Sequence, residues 1–370
     1  MLPGYIVFLS AFAVSFLLVP VVMSLANSSG AIAVPGRRHI HAHPTPKFGG
    51  VAIASGVLLI SPFIFPIDNV IGSYLLSSAV MLLLGILDDV RGTDWKVKMV
   101  FSIIATAVFI VGSGTWITNL GDLFGTGDVH LGAWGIPFTF IAVFGVVNAI
   151  NLIDGLNGLA CGVSSIAFIA FAVLASISGN STVFYLSLCS LGATLGLFRY
   201  NYPRARIFMG DSGTMFIGFS IAIMSIMLTQ GNGKITPMVP VIVLAVPIYD
   251  TLRVFFIRVI NKRSPFLGDK THLHHLMMRS GIKQKRVVKI VWVLTAIMSS
   301  IAFALYKFDS WVMLLVFCLI IVMMGMFIKN LRIIRSISMR ANSRQESAPA
   351  IRKLYVEEKN PLVGNEGERF

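Results

Sequence analysis

The stretch PGYIVFLSAFAVSFLLVPVVMSLA at residues 3–26 decides the fold class, because it contains no charged residue from end to end. A helix that crosses the apolar core of a bilayer needs about 20 such residues. No basic stretch opens the run and no small-residue cleavage site follows it, as a signal peptide would require. We therefore predict that this run is a retained membrane-spanning helix.

Ten further apolar runs follow, separated by polar or Gly/Pro-rich segments. They lie near 48–66, 70–87, 98–114, 133–148, 160–178, 182–199, 212–228, 237–257, 288–306 and 310–329. A hydrophobic fraction of 56%, a charged fraction of 12% and a mean hydropathy of +0.82 exclude an ordinary soluble protein. The three cysteines lie in apolar runs without CxxC spacing, which indicates neither a disulfide framework nor a zinc site. The sequence predicts an all-α polytopic membrane protein with about 11 transmembrane helices.

The distribution of positive charge predicts the orientation of these helices. Of the 30 lysines and arginines, 28 fall in alternate loops or in the segment from 329 onward, and only Lys234 and Lys307 fall on the other side. Cytoplasmic loops of membrane proteins carry such an excess. We predict that the N-terminus lies outside and the C-terminus in the cytoplasm. This arrangement explains the formal charge of +14 as the cytoplasmic basic bias of a protein that spans the lipid bilayer, and no nucleic-acid partner is expected.

Polar side chains able to bind a metal or a phosphate gather in the loops predicted to be cytoplasmic. These side chains are Asp88, Asp89, Asn148, Asn151, Asp154, Asp211, His272, His274 and His275, with His39, His41, His43 and Lys47 in the first loop. Charged groups beside apolar helices are costly, so such a gathering indicates function. The loops predicted to lie outside contain Asp68, Asp122, Asp128 and His130 without a comparable cluster.

These residue types favour phosphoryl transfer as the reaction class. Carboxylates bind Mg²⁺ through oxygen, and lysine, arginine or histidine neutralises phosphate. The glycines in LIDGLNGL (152–159) and FMGDSGT (208–214) suit a backbone that approaches a ligand closely or turns sharply at a helix end.

Five segments, in this order and spacing, resemble the polyprenyl-phosphate N-acetylhexosamine-1-phosphate transferase family, also called the glycosyltransferase 4 family. They are HPTPKFGG (43–50), LLGILDDVRG (83–92), NAINLIDGLNGLACG (148–162), RIFMGDSGT (206–214) and SPFLGDKTHLHHLMMRSG (264–281). The family fold also has eleven helices. The HLHH segment, with the preceding SPF and aspartate, resembles the branch that transfers GlcNAc-1-phosphate.

The resemblance implies transfer of GlcNAc-1-phosphate from UDP-GlcNAc to undecaprenyl phosphate, with release of UMP, in the bacterial cytoplasmic (inner) membrane. The product would begin the membrane stage of O-antigen or related cell-surface polysaccharide synthesis. Another UDP-N-acetylhexosamine donor and a homodimeric state stay open. We expect one transmembrane catalytic domain at 1–340, with its active site in the cytoplasmic loops, and a polar, disordered cytoplasmic tail at 341–370.

The resemblance also implies roles for individual residues. Asp211 would be the main ligand of Mg²⁺, or of Mn²⁺ in its place. Asp88 and Asp89 would assist metal binding and orient or deprotonate the lipid phosphate. The nucleotide and its pyrophosphate would contact Asn148, Asn151 and Asp154. Phosphate or sugar would contact His272, His274 and His275, and further substrate contacts are expected from Lys47, Asn157 and Gly210.

Two departures and several alternatives qualify these roles. Asn157 stands where many relatives have aspartate, and Lys47 is the nearest cation to a position near His43 where many relatives have lysine. A phosphate monoester is already mostly dianionic at neutral pH, so an aspartate base is not required. Helix capping or interhelical hydrogen bonds are alternatives for the aspartates and asparagines, as is a zinc site for the histidines. Asp250 and Arg253 fit a structural pair. A secondary transporter is the competing functional class.

Overall fold

The protein consists almost entirely of helices. The computed structural model describes residues 2–34, 43–231, 235–262, 264, 271–331 and 333. The helices are α1 (Gly4–Ser29), α2 (Gly49–Ile64), α3 (Asn69–Arg91), α4 (Trp95–Ser113), α5 (Gly135–Ile153), α6 (Leu159–Ser178), α7 (Ser181–Asn201), α8 (Gly210–Thr229), α9 (Met238–Val243), α10 (Ala245–Ile260), α11 (Leu273–Arg279), α12 (Gln284–Leu305) and α13 (Ser310–Leu331). A 3₁₀ turn, Gly132–Trp134, precedes α5, and β1 (Ile32–Ala33) pairs antiparallel with β2 (Thr45–Pro46).

The all-α, polytopic character predicted from the apolar runs is confirmed. Among the described residues, nine helices are long and apolar enough to cross a membrane, whereas α2 has only 16 residues. The predicted run at 237–257 is divided into α9 and α10 at Leu244. Pro247 lacks an amide hydrogen and cannot donate to the carbonyl of Val243, so the helix is interrupted there. The predicted tail at 341–370 lies outside the described residues.

Helix α8 lies at the centre of the bundle and is buried along almost its whole length. It packs against α2, α3, α5 and α6, while α1 and α13 expose much of their apolar surface. Such apolar surface is stable only where lipid replaces water. Close approach of α3 to α8 depends on Gly85, because a Cβ there would lie 2.6 Å from the amide nitrogen of Ser212.

One end of the bundle collects the helix ends that carry polar residues. Gly49 and Gly50, at the start of α2, donate backbone hydrogen bonds to the carbonyls of Phe208 (3.0 Å) and Met209 (2.8 Å), directly before α8. Lys98, in the first turn of α4, reaches the last turn of α3. In the turn between α5 and α6, the amide of Gly158 donates a hydrogen bond to the side chain of Asn201, the last residue of α7. Loops far apart in sequence therefore meet at a single face.

The opposite end has its own ordered segment between α4 and α5. An isolated antiparallel β-bridge pairs Asn119 with His130. The side-chain oxygen of Gln230, just after α8, accepts hydrogen bonds from the amides of Thr118 (2.9 Å) and Asn119 (3.2 Å). We call residues 115–131 the far-side hairpin.

Candidate active site

Asp89 joins the end of α3 to the beginning of α8. Its Oδ1 accepts the amide N–H of Asp211 at 2.9 Å and its Oδ2 accepts that of Ser212 at 3.0 Å. The first amides of a helix have no partner within it, and their positive end favours a carboxylate. Met209, the residue before α8, provides no side-chain cap. Asp89, only 3% exposed, therefore caps α8 from another helix, and its role as a metal ligand stays a prediction.

Gly210 is required by this arrangement. Its φ of +72° lies in the left-handed region, and a Cβ would meet the carbonyl of Lys47 and lie 2.6 Å and 2.8 Å from the two carboxylate oxygens of Asp89. The glycine in FMGD thus lets α2, α3 and α8 meet at one point.

Asp88 faces a different partner from Asp89. Its Oδ1 accepts hydrogen bonds from the amide and hydroxyl of Thr93 at 2.5 Å and 2.7 Å, and its Oδ2 lies 2.5 Å from Lys98 Nζ. The same ammonium lies 3.6 Å from Asp211 Oδ1. Lys98 therefore links two predicted metal ligands. From the sequence it was predicted only as a basic loop residue, although a lysine at the start of the apolar run that follows the paired aspartates was a usable signal.

Asp211 is oriented by Asn151 at the end of α5. The side-chain amide of Asn151 donates to Asp211 Oδ1 at 2.5 Å and to Thr214 Oγ1 at 2.7 Å. The carboxylate of Asp211 remains 30% exposed. Asn148, one turn earlier, instead donates to the carbonyl of Phe144 at 2.7 Å, and it is not among the described residues that line the cavity.

Asp154 follows α5 directly and experiences an excess of negative charge. Burial, together with the charges of Asp211 and Asp89, raises the pKa of Asp154 to about 7. A divalent cation near these carboxylates would relieve this repulsion.

A cavity of about 410 Å³ joins these groups, within the size range of small-molecule sites. Its described lining residues are Ala33, Lys47, Asp89, Asn151, Asp154, Gly155, Leu156, Asn157, Asn201, Phe208, Gly210, Asp211, Thr214, His275 and Gln284. Most of the predicted site residues are thus brought together. Carboxylate, ammonium and amide groups on one wall suit an anionic ligand held with a cation.

The residues present fit Mg²⁺. The described part of the chain contains no group of three His, Cys, Asp or Glu side chains arranged to hold a metal. Mg²⁺ needs fewer protein ligands, because it usually keeps several waters and is bound by one or two carboxylates together with substrate phosphates. Asp211, part-exposed at the cavity wall, is the carboxylate that fits this requirement best.

The three histidines have three different surroundings. His275 lines the cavity. His272 is buried and its Nδ1–H donates to Asp250 Oδ2 at 2.9 Å. His274 is also buried and packs against Gly155. Burial, with a further contribution from His275, lowers the pKa of His274 to about 3, so its ring is neutral. His275 is therefore the histidine with access to a ligand.

Asn201 lines the cavity but was not predicted as a site residue from the sequence. Its Oδ1 accepts the amide N–H of Gly158 at 2.7 Å, and its Nδ2 donates to the carbonyl of Ile207 at 2.9 Å. It thereby ties the DGLNGL turn to the segment before FMGD. Its only signal was a polar residue at the end of an apolar run.

Comparison with known proteins assigns the family. The family model described as "Glycosyl transferase family 4" matches residues 71–229, which include most of α3 and the whole of α8. A Bacillus subtilis (strain 168) protein named "Probable undecaprenyl-phosphate N-acetylglucosaminyl 1-phosphate transferase" is 33% identical over 321 residues, 85% of this chain and 89% of that protein. The chain belongs to glycosyl transferase family 4.

Two further relatives of this family 4 protein carry the name "Undecaprenyl-phosphate alpha-N-acetylglucosaminyl 1-phosphate transferase". The Salmonella typhimurium protein is 26% identical over 345 residues, and the Escherichia coli (strain K12) protein is 27% identical over 344. Each match covers 89% of this chain and 93% of the relative. The family resemblance found in the five sequence segments is confirmed, and the family 4 protein is a phosphoglycosyl transferase.

Proposed function

We propose that the protein transfers GlcNAc-1-phosphate from UDP-GlcNAc to undecaprenyl phosphate and releases UMP, at the cytoplasmic face of a bacterial inner membrane. One observation carries this proposal. The cavity joins Asp211, Lys47 and His275 at the ends of membrane-length helices, where a lipid phosphate and a water-soluble nucleotide can both arrive. The names of the relatives support the choice of both substrates.

In the proposed reaction, an oxygen of the lipid phosphate attacks the sugar-bearing phosphorus of UDP-GlcNAc. A new phosphorus–oxygen bond forms while the bond from that phosphorus to the oxygen of UMP breaks. No proton has to be removed, because the attacking phosphate is mostly dianionic at neutral pH. Catalysis then consists mainly of alignment and neutralisation of charge.

The side chains of the cavity suit these two tasks. When bound, Mg²⁺ would neutralise phosphate charge at Asp211. Asn151 keeps the Asp211 carboxylate oriented, and Asp89 holds the helix that carries it. Lys47, which lines the cavity, supplies positive charge for the pyrophosphate, and Lys98 balances the carboxylates of Asp88 and Asp211 between which it lies. His275, Asn157 and Gln284 are the lining side chains suited to hydrogen-bond the sugar or uridine.

The product, undecaprenyl-pyrophosphoryl-GlcNAc, fits the first lipid-linked intermediate of O-antigen or a related cell-surface polysaccharide. An enzyme that extends the sugar would have to consume it.

The test uses the purified full-length protein in detergent with Mg²⁺, undecaprenyl phosphate and UDP-GlcNAc. We expect release of UMP that depends on both the lipid and the metal. Asp211→Asn should abolish release while the unfolding midpoint stays close to that of the wild type. A panel of UDP-N-acetylhexosamines tests the donor, and faster turnover of another member would replace UDP-GlcNAc. Absence of UMP release with every donor, from folded protein, would contradict the proposed function.

A further inference from the structure

Asp250, in α10, binds the start of α11 although 22 residues separate it from His272. Its Oδ2 accepts the Nδ1–H of His272 at 2.9 Å, and its Oδ1 accepts the amide N–H of Leu273 at 2.8 Å. His272 is the residue before α11 and provides no cap of its own. Asp250 therefore caps α11 from a neighbouring helix.

Arg253 completes this contact one turn later in α10. Its guanidinium lies 3.4 Å from Asp250 Oδ1 and donates a hydrogen bond to the carbonyl of Thr271. We call Asp250 and Arg253 the α10 clamp. Their opposite charges compensate each other, so Asp250 can remain buried, and Arg253 with only 10% of its side chain exposed, while they hold residues 271–273.

The α10 clamp sets the orientation of α11. Seven residues are too few for an isolated helix to be stable, so its position depends on contacts made by its ends. At the far end, Ser280 Oγ donates to the carbonyl of Leu331 at 3.1 Å. With both ends held, Leu273, His274 and Met277 are buried. His275 then faces the cavity.

We propose that Asp250 is a positioning residue, which places His275 in the cavity through its bonds to His272 and Leu273. This inference rests on the proposed function, since it assigns a task within the same reaction. Asp250 and His272 are not among the described residues that line the cavity, so they act on the substrate through α11. Without the carboxylate, the His272 ring and the Leu273 amide would lose their buried partner, and α11 would no longer be fixed.

The kinetic test compares variants of Asp250 and His272. Asp250→Ala and His272→Ala should each lower kcat/KM for UMP release by about 10- to 100-fold, as loss of such supporting hydrogen bonds does elsewhere. His272→Asn should recover most of the activity, because the asparagine amide can donate in place of Nδ1–H. If Asp250→Ala does not fold, the comparison of His272→Asn with His272→Ala still tests the positioning role. Equal losses in His272→Asn and His272→Ala would overturn the proposal.

A double-mutant cycle tests whether Asp250 acts through His275. In a His275→Ala background, Asp250→Ala should cause little further loss. If kcat/KM of the double variant falls by the product of the two single fold-losses, the two residues act independently and the proposal fails. Asp68→Ala is the matched control. Asp68 caps α3 by accepting from the amide of Ile71 at 2.8 Å, at the opposite end from the cavity, and its removal should leave kcat/KM unchanged.

Hydrogen exchange separates this inference from the proposed function. Amides of residues 271–279 should exchange faster in Asp250→Ala than in the wild type or in Asp68→Ala. Unchanged exchange would overturn the positioning role, whatever the substrate. If the wild type released no UMP while exchange rose as expected, the substrate assignment would fail and the structural role of the α10 clamp would stand.

Discussion

We expect Asp154 to link proton binding to cation binding at the site. In the folded protein its pKa is about 7 because of burial and the charges of Asp211 and Asp89, whereas its ordinary value is 3.8. Between these values the folded protein holds a proton that the unfolded chain has lost. This contribution to stability is therefore largest below about pH 4 and declines as the pH rises through about 7. A cation at Asp211 would weaken the repulsion, so its binding should release protons.

We therefore expect Mg²⁺ to raise the unfolding midpoint more near pH 8 than near pH 6, as measured by thermal unfolding in detergent. Asp154→Asn should reduce this difference, because the asparagine cannot titrate. A Mg²⁺-induced shift with the same pH dependence in both proteins would contradict the link between Asp154 and the cation.

The residue types of the site could be recognised in the sequence, but their partners could not. Asp211, Asn151 and Asp154 stand in short polar segments beside apolar runs, which drew attention to them. Lys98 pairs with Asp211, more than 100 positions later, and no local pattern reports such a contact. Asp250 was expected to pair with Arg253, which it does, but its stronger contacts to the HLHH segment depend on how α10 lies beside α11.

At the scale of the element, the start of α8 depends on one backbone conformation. Gly210→Ala should cost about 1–2 kcal/mol for its positive φ, and its Cβ should displace Asp89 and Lys47. Gly30→Ala is the matched control, because Gly30 has a φ of +75° and no atom within 4 Å of a Cβ. Both variants should unfold at lower temperature, and only Gly210→Ala should lose UMP release. Equal loss of activity in both would contradict the requirement for space at Gly210.

The lengths of the apolar runs predicted most of the helices, and the chemistry of proline explains the exception at 237–257. The predicted runs at 3–26 and 98–114 correspond to α1 and α4 with small differences in their ends. The run at 237–257 looked continuous because Pro240 and Pro247 are themselves compatible with an apolar segment. Each stands in the first turn of its helix, where a missing amide hydrogen costs little. Composition therefore predicted the extent of this apolar segment, and only the backbone structure showed that it is divided into two helices.

At the scale of the whole molecule, the two ends of the bundle differ in charge and in structure. The cavity end carries Lys98, Lys47 and the basic start of α12, whereas the far-side hairpin has neither lysine nor arginine. Such asymmetry orients helices during insertion. The cavity should therefore face the cytoplasm, where nucleotide sugars are made.

Three glycines offer open positions to test this orientation. Gly92 and Gly281 lie at the cavity end and Gly125 lies in the far-side hairpin, and a side chain at any of them would meet no atom within 4 Å. In intact cells, a membrane-impermeant thiol reagent should label Gly125→Cys, and it should label Gly92→Cys and Gly281→Cys only after permeabilisation. The unsubstituted chain is the control, since Cys161 and Cys189 are buried and Cys318 lies in α13. Labelling of Gly92→Cys and Gly281→Cys from opposite sides would separate Asp89 from His275 and contradict a shared cavity. Labelling of both from outside would leave the cavity intact but remove its access to a cytoplasmic donor.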